Sequence, residues 1–142
     1  DIALNHGFSQ CPLAQLYWDA SAGDWGKPAV DNPWFNVDAT HNFNVGSDFN
    51  HESPRTQYYV DRVVKHWIEE YHIDGYRFDL TKGFTQNVGG PFDAGSYDQS
   101  RIDLLKRMGN VIWELDPTSL LILEHFADNS EEKDLSNFGF ML

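Results

Sequence analysis

The chain has 142 residues, 41% hydrophobic and 15% aromatic, a globular composition with enough apolar mass for a core. Ten Lys and Arg against 22 Asp and Glu give a net charge of −12, which argues against nucleic acid or an anionic membrane as partner, since both need clustered positive charge. No apolar run approaches the roughly 18–20 residues that span a bilayer. The single cysteine, Cys11, excludes an internal disulfide and any multi-cysteine metal site.

The chain opens on a strand-like segment with no leader before it and closes on the apolar Phe138-Gly139-Phe140-Met141-Leu142. Both ends read as those of a piece of a longer chain. Residues 1–5 predict a short buried strand. Residues 7–53 show no sustained periodicity and hold Pro12, Pro28 and Pro33 with many aromatics: Phe8, Tyr17, Trp18, Trp25, Trp34, Phe35, Phe43 and Phe49. An irregular stretch of that length is uncommon unless it is functional, so it reads as a binding lid or small subdomain.

Ser53-Pro54 supplies a capping hydroxyl and a proline for the first helical position. The stripe Val60, Val63, Val64, Trp67, Ile68 and Tyr71 then predicts an amphipathic helix ending near His72. Residues 73–80 read as a strand and 81–95 as a glycine-rich loop. Ser96 and Gln99 have capping-box spacing, Ile102, Leu105, Met108, Ile112 and Leu115 mark a second helix, and Asp116-Pro117 stops it. Leu120 to Leu123 is a continuous apolar run, expected for a strand buried on both faces. Residues 126–137 read as a polar, acidic loop, with Glu131 and Glu132 solvated, as are Glu69 and Glu70 on the first helix. The terminal apolar run is expected to begin another strand. Strand and helix thus alternate, which predicts an α/β fold with a parallel sheet and right-handed crossovers. A closed eight-stranded barrel needs about 250 residues, so this chain could supply only about three of the eight units.

Each strand ends in polar residues: Asn5 and His6, then Arg77 and Asp79, then Glu124 and His125. Ligands in parallel α/β folds bind at the carboxyl ends of strands, so Asp79 and Glu124 are expected to converge at one rim. A facing carboxylate pair suits retaining glycoside hydrolysis, with one group attacking the anomeric carbon and the other protonating the leaving oxygen. Arg77 lies two residues before Asp79, on the same strand face, where it would hold a nucleophilic carboxylate ionised. Glu124 follows four apolar residues, and partial desolvation would suit it to general acid work. The plain alternative is that each carboxylate is a helix cap or a solvated loop residue. The histidines show no metal-binding spacing such as HExxH, and His66 falls off the helix stripe, so it is expected in solvent. Most insert aromatics are expected to pack the insert, with one or two touching substrate.

Asp1-Ile2-Ala3-Leu4-Asn5-His6, Gly75-Tyr76-Arg77-Phe78-Asp79-Leu80-Thr81-Lys82 and Leu121-Ile122-Leu123-Glu124-His125 resemble, in order, three signature regions of the α-amylase superfamily, glycoside hydrolase family 13. Gly46-Ser47-Asp48-Phe49-Asn50 resembles a further short motif of that family, and the insert at 7–53 falls where the family carries its small B domain. The resemblance implies that residues 1–142 are a partial (β/α)8 TIM barrel, about strands 3 to 5 with their helices, with a B-domain-like insert after the first strand. It implies Asp79 as nucleophile, Glu124 as acid and base, and Arg77 as the residue that orients Asp79. His6, Lys82 and His125 would bind substrate, and Asp1 would support the cluster. Asn5 and Asp48, with the Gly83 carbonyl, match positions that hold a structural calcium in many members; no organic cofactor is implied. Gly83 departs from the family, which often has His there, and the fourth signature, a His-Asp pair, does not occur in the sequence.

The resulting expectation is a glycosidase acting on α-glucosidic bonds of starch-like glucans by double displacement. An α-glucan transglycosylase or branching enzyme is the alternative, and a non-catalytic carbohydrate-binding remnant the second. The isolated chain is expected to be inactive and to depend on the rest of the barrel or on another copy of itself, because an open sheet exposes edges.

Overall fold

Three parallel strands and two long helices carry the main core. The structure is a computed structural model and describes residues 1–8, 10–42, 46–87 and 93–142, with Asp93 described by its backbone alone. Phe43 and part of the glycine-rich loop, 88–92, lie outside the described residues. In chain order the elements are β1 (Ile2–Ala3), β2 (His6–Gly7), α1 (Pro12–Gln15), β3 (Trp18–Asp19), β4 (Lys27–Pro28), β5 (Ser47–Asp48), α2 (Pro54–Tyr71), β6 (Gly75–Asp79), α3 (Gln99–Leu115), β7 (Leu120–Leu123) and α4 (Asn129–Phe138), with tight helical turns at Thr81–Phe84 and Asp93–Gly95. No helix among the described residues is long and apolar enough to cross a membrane.

The main sheet has the order β1-β6-β7, all parallel. Phe78 pairs with Ile2 on one side and Leu123 on the other; Asp79 pairs with Ala3. The terminal apolar run does begin to extend the sheet: Met141 bridges Ile122 in parallel, and its N–H donates to the Leu121 carbonyl at 2.9 Å. The result is a partial parallel sheet with helices against it, not a closed barrel. Gly75 opens β6 with φ +150°, and a Cβ there would lie 2.0 Å from the Leu120 carbonyl oxygen, so only glycine allows β6 to start this close to β7.

The helices form where capping and periodicity place them. The Ser53 hydroxyl accepts the Arg55 N–H at 3.2 Å, Pro54 begins α2, and His72 ends it in the left-handed region at φ 52°. Val60, Val64 and Ile68 of α2 and Ile102, Leu105, Met108 and Ile112 of α3 are buried against Tyr76, Phe78, Leu121 and Leu123. Trp67 and Tyr71 of the predicted stripe lie at its exposed edge. Arg107 binds Asp61 through two bonds of 2.9 and 2.7 Å, tying α3 to α2, and Lys106 reaches Asp134 of α4 at 2.8 Å. The Tyr76 hydroxyl donates to the Val64 carbonyl at 2.6 Å, and burial pushes its phenol up to about 12.

Three local expectations are corrected. First, Asp98, not Ser96, caps α3: its carboxylate accepts from the N–H groups of Ser100 and Arg101. Second, β7 is buried on one face only. Leu121 and Leu123 point into the helices, whereas Leu120 and Ile122 are exposed, because the helices cover a single side of the sheet. Third, residues 126–137 are largely helix. Asp128 caps α4, and Glu131, three positions on, is fully buried rather than solvated. Within the insert, β2 pairs with β5 and β3 with β4, both antiparallel, around a small core of Ala14, Phe35 and Phe49. Phe35 and Phe49 stack at 4.0 Å.

Candidate functional site

Alternation along β6 sends Tyr76 and Phe78 into the core and leaves Gly75, Arg77 and Asp79 on the open face. Extending the β6–β7 register by one residue sets Asp79 beside Glu124, and the Glu124 N–H donates to the Phe78 carbonyl at 2.9 Å. Neighbouring strands lie about 4.8 Å apart, so the two carboxylates stand on adjacent rungs and one face. One guanidinium organises them. Arg77 Nη1 donates to Asp1 Oδ1 and to Asp79 Oδ1, each at 2.8 Å, while Nη2 lies 3.0 Å from Glu124 Oε2. Asp79 and Glu124 keep about a third of their side-chain surface, 34% and 30%, and Asp1 is more open at 71%. Glu124 therefore sits among polar donors rather than in an apolar pocket.

The backbone contributes as well. Leu80, next to Asp79, has φ 45°, and its N–H donates to Glu124 Oε2 at 3.0 Å. Phe126, just beyond His125, has φ 51°. Left-handed backbone at a non-glycine residue costs about 1–2 kcal/mol. It occurs here at the rim end of both strands, as strain tends to at functional sites.

His6 Nδ1 lies 2.8 Å from Asn5 Oδ1. Lys82 lies in the turn after β6, where its carbonyl accepts from Arg101 at 2.7 Å. His125 is buried. Its Nε2 donates to Glu131 Oε1 at 2.8 Å, and its Nδ1 faces the Thr81 hydroxyl at 2.9 Å. It lies behind the rim, not on it.

A buried ionic network lies under this rim. Arg101 has no exposed surface, yet its guanidinium is saturated: Nε and Nη2 bind the two oxygens of Glu131 at 2.7 Å each, and the remaining bonds go to the carbonyls of Lys82, Ala94 and Ser96. Glu131 also accepts the Asp98 N–H at 2.9 Å. Burial works to raise the Glu131 carboxyl, but the His125 and Arg101 bonds and the Arg101 charge outweigh it and hold the group below its ordinary value. Arg101 thereby clamps the segment after β6, and Glu131 the segment after β7. Sequence reasoning missed both residues, although Asp128-Asn129-Ser130-Glu131 has the spacing of a capping box.

The three residues expected to hold calcium do come together, but around an imidazole. Asp48 is buried. Its Oδ1 accepts from His41 Nε2 at 3.2 Å and its Oδ2 from Asn36 Nδ2 at 2.7 Å. A Cβ on Gly83 would lie 2.9 Å from His41 Nε2 and 3.5 Å from Asn5 Cβ. The buried side-chain atom without a partner among the described residues is Asn5 Nδ2, a donor. Calcium takes 6–8 oxygen ligands at about 2.3–2.6 Å. A carboxylate already satisfied by N–H groups, with a ring against Gly83, does not fit that ion. Among the described residues no group of three or more His, Cys, Asp or Glu side chains is arranged to hold a metal.

In the insert, a cavity of about 370 Å³ is lined by Phe8, Trp18, Trp25, Lys27, Asp38 and Asp48, among others. Trp25 is 92% exposed, and Phe8 is also open to solvent. His66 is exposed on α2, and Cys11 is a free, half-buried thiol.

Fold and site together define a parallel α/β sheet with acidic residues converging at the carboxyl ends of its strands. The chain is 33% identical over 85 residues to a glycogen debranching enzyme of Enterobacter sp. (strain 638), covering 56% of this chain and 12% of the enzyme. It is 40% identical over 50 residues to isoamylase 3, chloroplastic, of Oryza sativa subsp. japonica, covering 34% of this chain and 6% of that protein. Among solved structures, Amy13B of Eubacterium rectale superposes with a TM-score of 0.70 at 17% identity, over 99% of this chain and 29% of that one, a likeness of fold. No protein-family model matches the chain. The two curated relatives carry the names of a debranching enzyme and an isoamylase, and the chain spans only a small part of each.

Proposed function

We propose that this chain is the strand-3 to strand-5 portion of a (β/α)8 glycosidase domain, with residues 7–53 as its B-domain-like insert, and that the domain cleaves α-glucosidic bonds with retention. The observation that carries the reading is the sharing of one guanidinium, Arg77, by Asp79 and Glu124 on adjacent rungs of a parallel sheet. Asp79 is the nucleophile. Arg77 binds its Oδ1 and holds it toward the open face, where its other oxygen attacks the anomeric carbon. Glu124 is the acid in the first step and the base in the second. To donate, it takes up a proton and gives up its contact with Arg77 as substrate enters.

His6 binds the sugar in the reacting subsite. Lys82 binds on the leaving-group side, and Asp1 steadies Arg77. His125 acts from behind the rim by fixing Thr81 and, through it, the turn that carries Lys82. The substrate is an α-glucan, for which the glycogen named for one relative gives support. The exposed Trp25 and Phe8 offer flat apolar faces for its rings. A branching or transglycosylating activity would use the same two carboxylates and differ in what resolves the covalent intermediate.

The test is trapping. A fluorinated glycosyl donor, added to the full-length protein that carries this chain, should esterify Asp79, as read by peptide mass spectrometry. Label on another residue, or none in a protein that turns over substrate, overturns the assignment.

A further inference from the structure

We infer that His41 takes the place of a structural calcium, and that the junction between insert and sheet is closed by an imidazole from the insert instead of by a metal. This inference is independent of the catalytic reading.

Three segments meet at this point. Asn5 follows β1, Asp48 ends β5 in the insert, and Gly83 lies in the turn after β6. A buried carboxylate such as Asp48 must be matched by donors or a cation, since leaving it bare in the interior costs several kcal/mol. The structure matches it with N–H groups from its own insert. Asn36 Nδ2 and His41 Nε2 each address one oxygen, and the Thr40 N–H adds a longer contact of 3.4 Å to the first of these. Because a carboxylate only accepts, the proton of the His41 imidazole that faces it is on Nε2. The ring is itself buried, with 2% of its side-chain surface exposed.

Position 83 bears on the same ring. The ideal Cβ built there falls 2.9 Å from His41 Nε2 and 3.2 Å from Cε1, closer than carbon and nitrogen pack. A side chain at 83 would force the His41 ring to shift from this position beside Asp48. Glycine at 83 and histidine at 41 are therefore two halves of one arrangement, which ties insert to sheet. The neighbouring Thr40 hydroxyl adds a bond to the Thr85 carbonyl at 2.8 Å, two residues beyond Gly83.

The experiment is thermal unfolding of the protein in excess EDTA and in millimolar CaCl2, for the wild type, His41→Ala, His41→Gln and Asp48→Asn. A site filled well above its Kd stabilises the native state by mass action and raises Tm by several degrees. The inference expects no such rise in the wild type. It expects His41→Ala to lower Tm in EDTA, and His41→Gln, which keeps an N–H donor, to lie between the two. A calcium-dependent rise in the wild type that Asp48→Asn abolishes would overturn it, as would a His41→Ala protein as stable in EDTA as the wild type. A rise that survives Asp48→Asn places calcium elsewhere and leaves the junction to His41. The wild-type and Asp48→Asn arms decide the matter even if His41→Ala does not fold.

Discussion

Lowering the pH from 7 to 5 should destabilise this protein through His51. That residue is buried, donates from Nε2 to the Leu4 carbonyl at 2.7 Å, and stacks on Phe84 at a ring distance of 3.6 Å. Burial lowers its value from 6.5 to about 4, against smaller opposing effects from the Leu4 bond and the Asp48 charge. The native state thus holds His51 neutral where the unfolded chain protonates it. The unfolded state binds more protons between these two values, so stability rises with pH across that window and falls as pH drops through it. The gap between 6.5 and about 4, at about 1.4 kcal/mol per pH unit, gives about 3.5 kcal/mol in full, of which about 2 kcal/mol is lost between pH 7 and pH 5. Urea unfolding followed by tryptophan fluorescence at pH 7, 6 and 5 measures it. His51→Gln keeps a donor for Leu4 and removes the titration. The wild type should therefore lose about 2 kcal/mol more than His51→Gln over the interval. Parallel losses in the two proteins would refute the reasoning.

Glu131→Gln should cost about 3–5 kcal/mol in the same assay, because it leaves the buried Arg101 guanidinium without its counter-charge. In the full-length protein, Glu124→Gln should lower kcat by about 10²–10⁴-fold, with less loss on substrates whose leaving group needs no proton. Trp25→Ala should leave Tm unchanged and raise KM by about 3- to 10-fold if the ring stacks on glucan, as read from initial rates on maltooligosaccharides.

Much of the main sheet was legible because it follows from local patterns. The stripe from Val60 to Ile68, the Ser53-Pro54 start and the Arg77-x-Asp79 alternation each act over a few residues, and α2 and β6 formed accordingly. What escaped depends on partners remote in sequence. Glu131 looks like a solvated acid beside Glu132, and only Arg101, thirty positions earlier, makes it a core residue. Arg101 in turn looks like any helix arginine, since nothing nearby shows that three carbonyls will converge on it. His41 and His51 read as loop histidines without metal spacing. Both are buried at joints that exist only after the insert folds back on β1 and the turn after β6.

The same distinction orders the site itself. Asp79 and Arg77 are fixed by one strand, so their relation is set within three residues. The relation of Asp79 to Glu124 is set first by the β6–β7 register, and then by how the segments just beyond the two strands are held. Arg101 holds the first through the Lys82 carbonyl, and Glu131 holds the second through His125. A retaining mechanism needs its carboxyl groups about 5–5.5 Å apart, while an inverting one needs about 6.5–9.5 Å, so a shift of an ångström or two changes the chemistry. The buried ion pair under the rim is thus placed where such a shift would begin. Its burial places it against the helices, and its bonds end at the turn and the histidine that follow the candidate carboxylates.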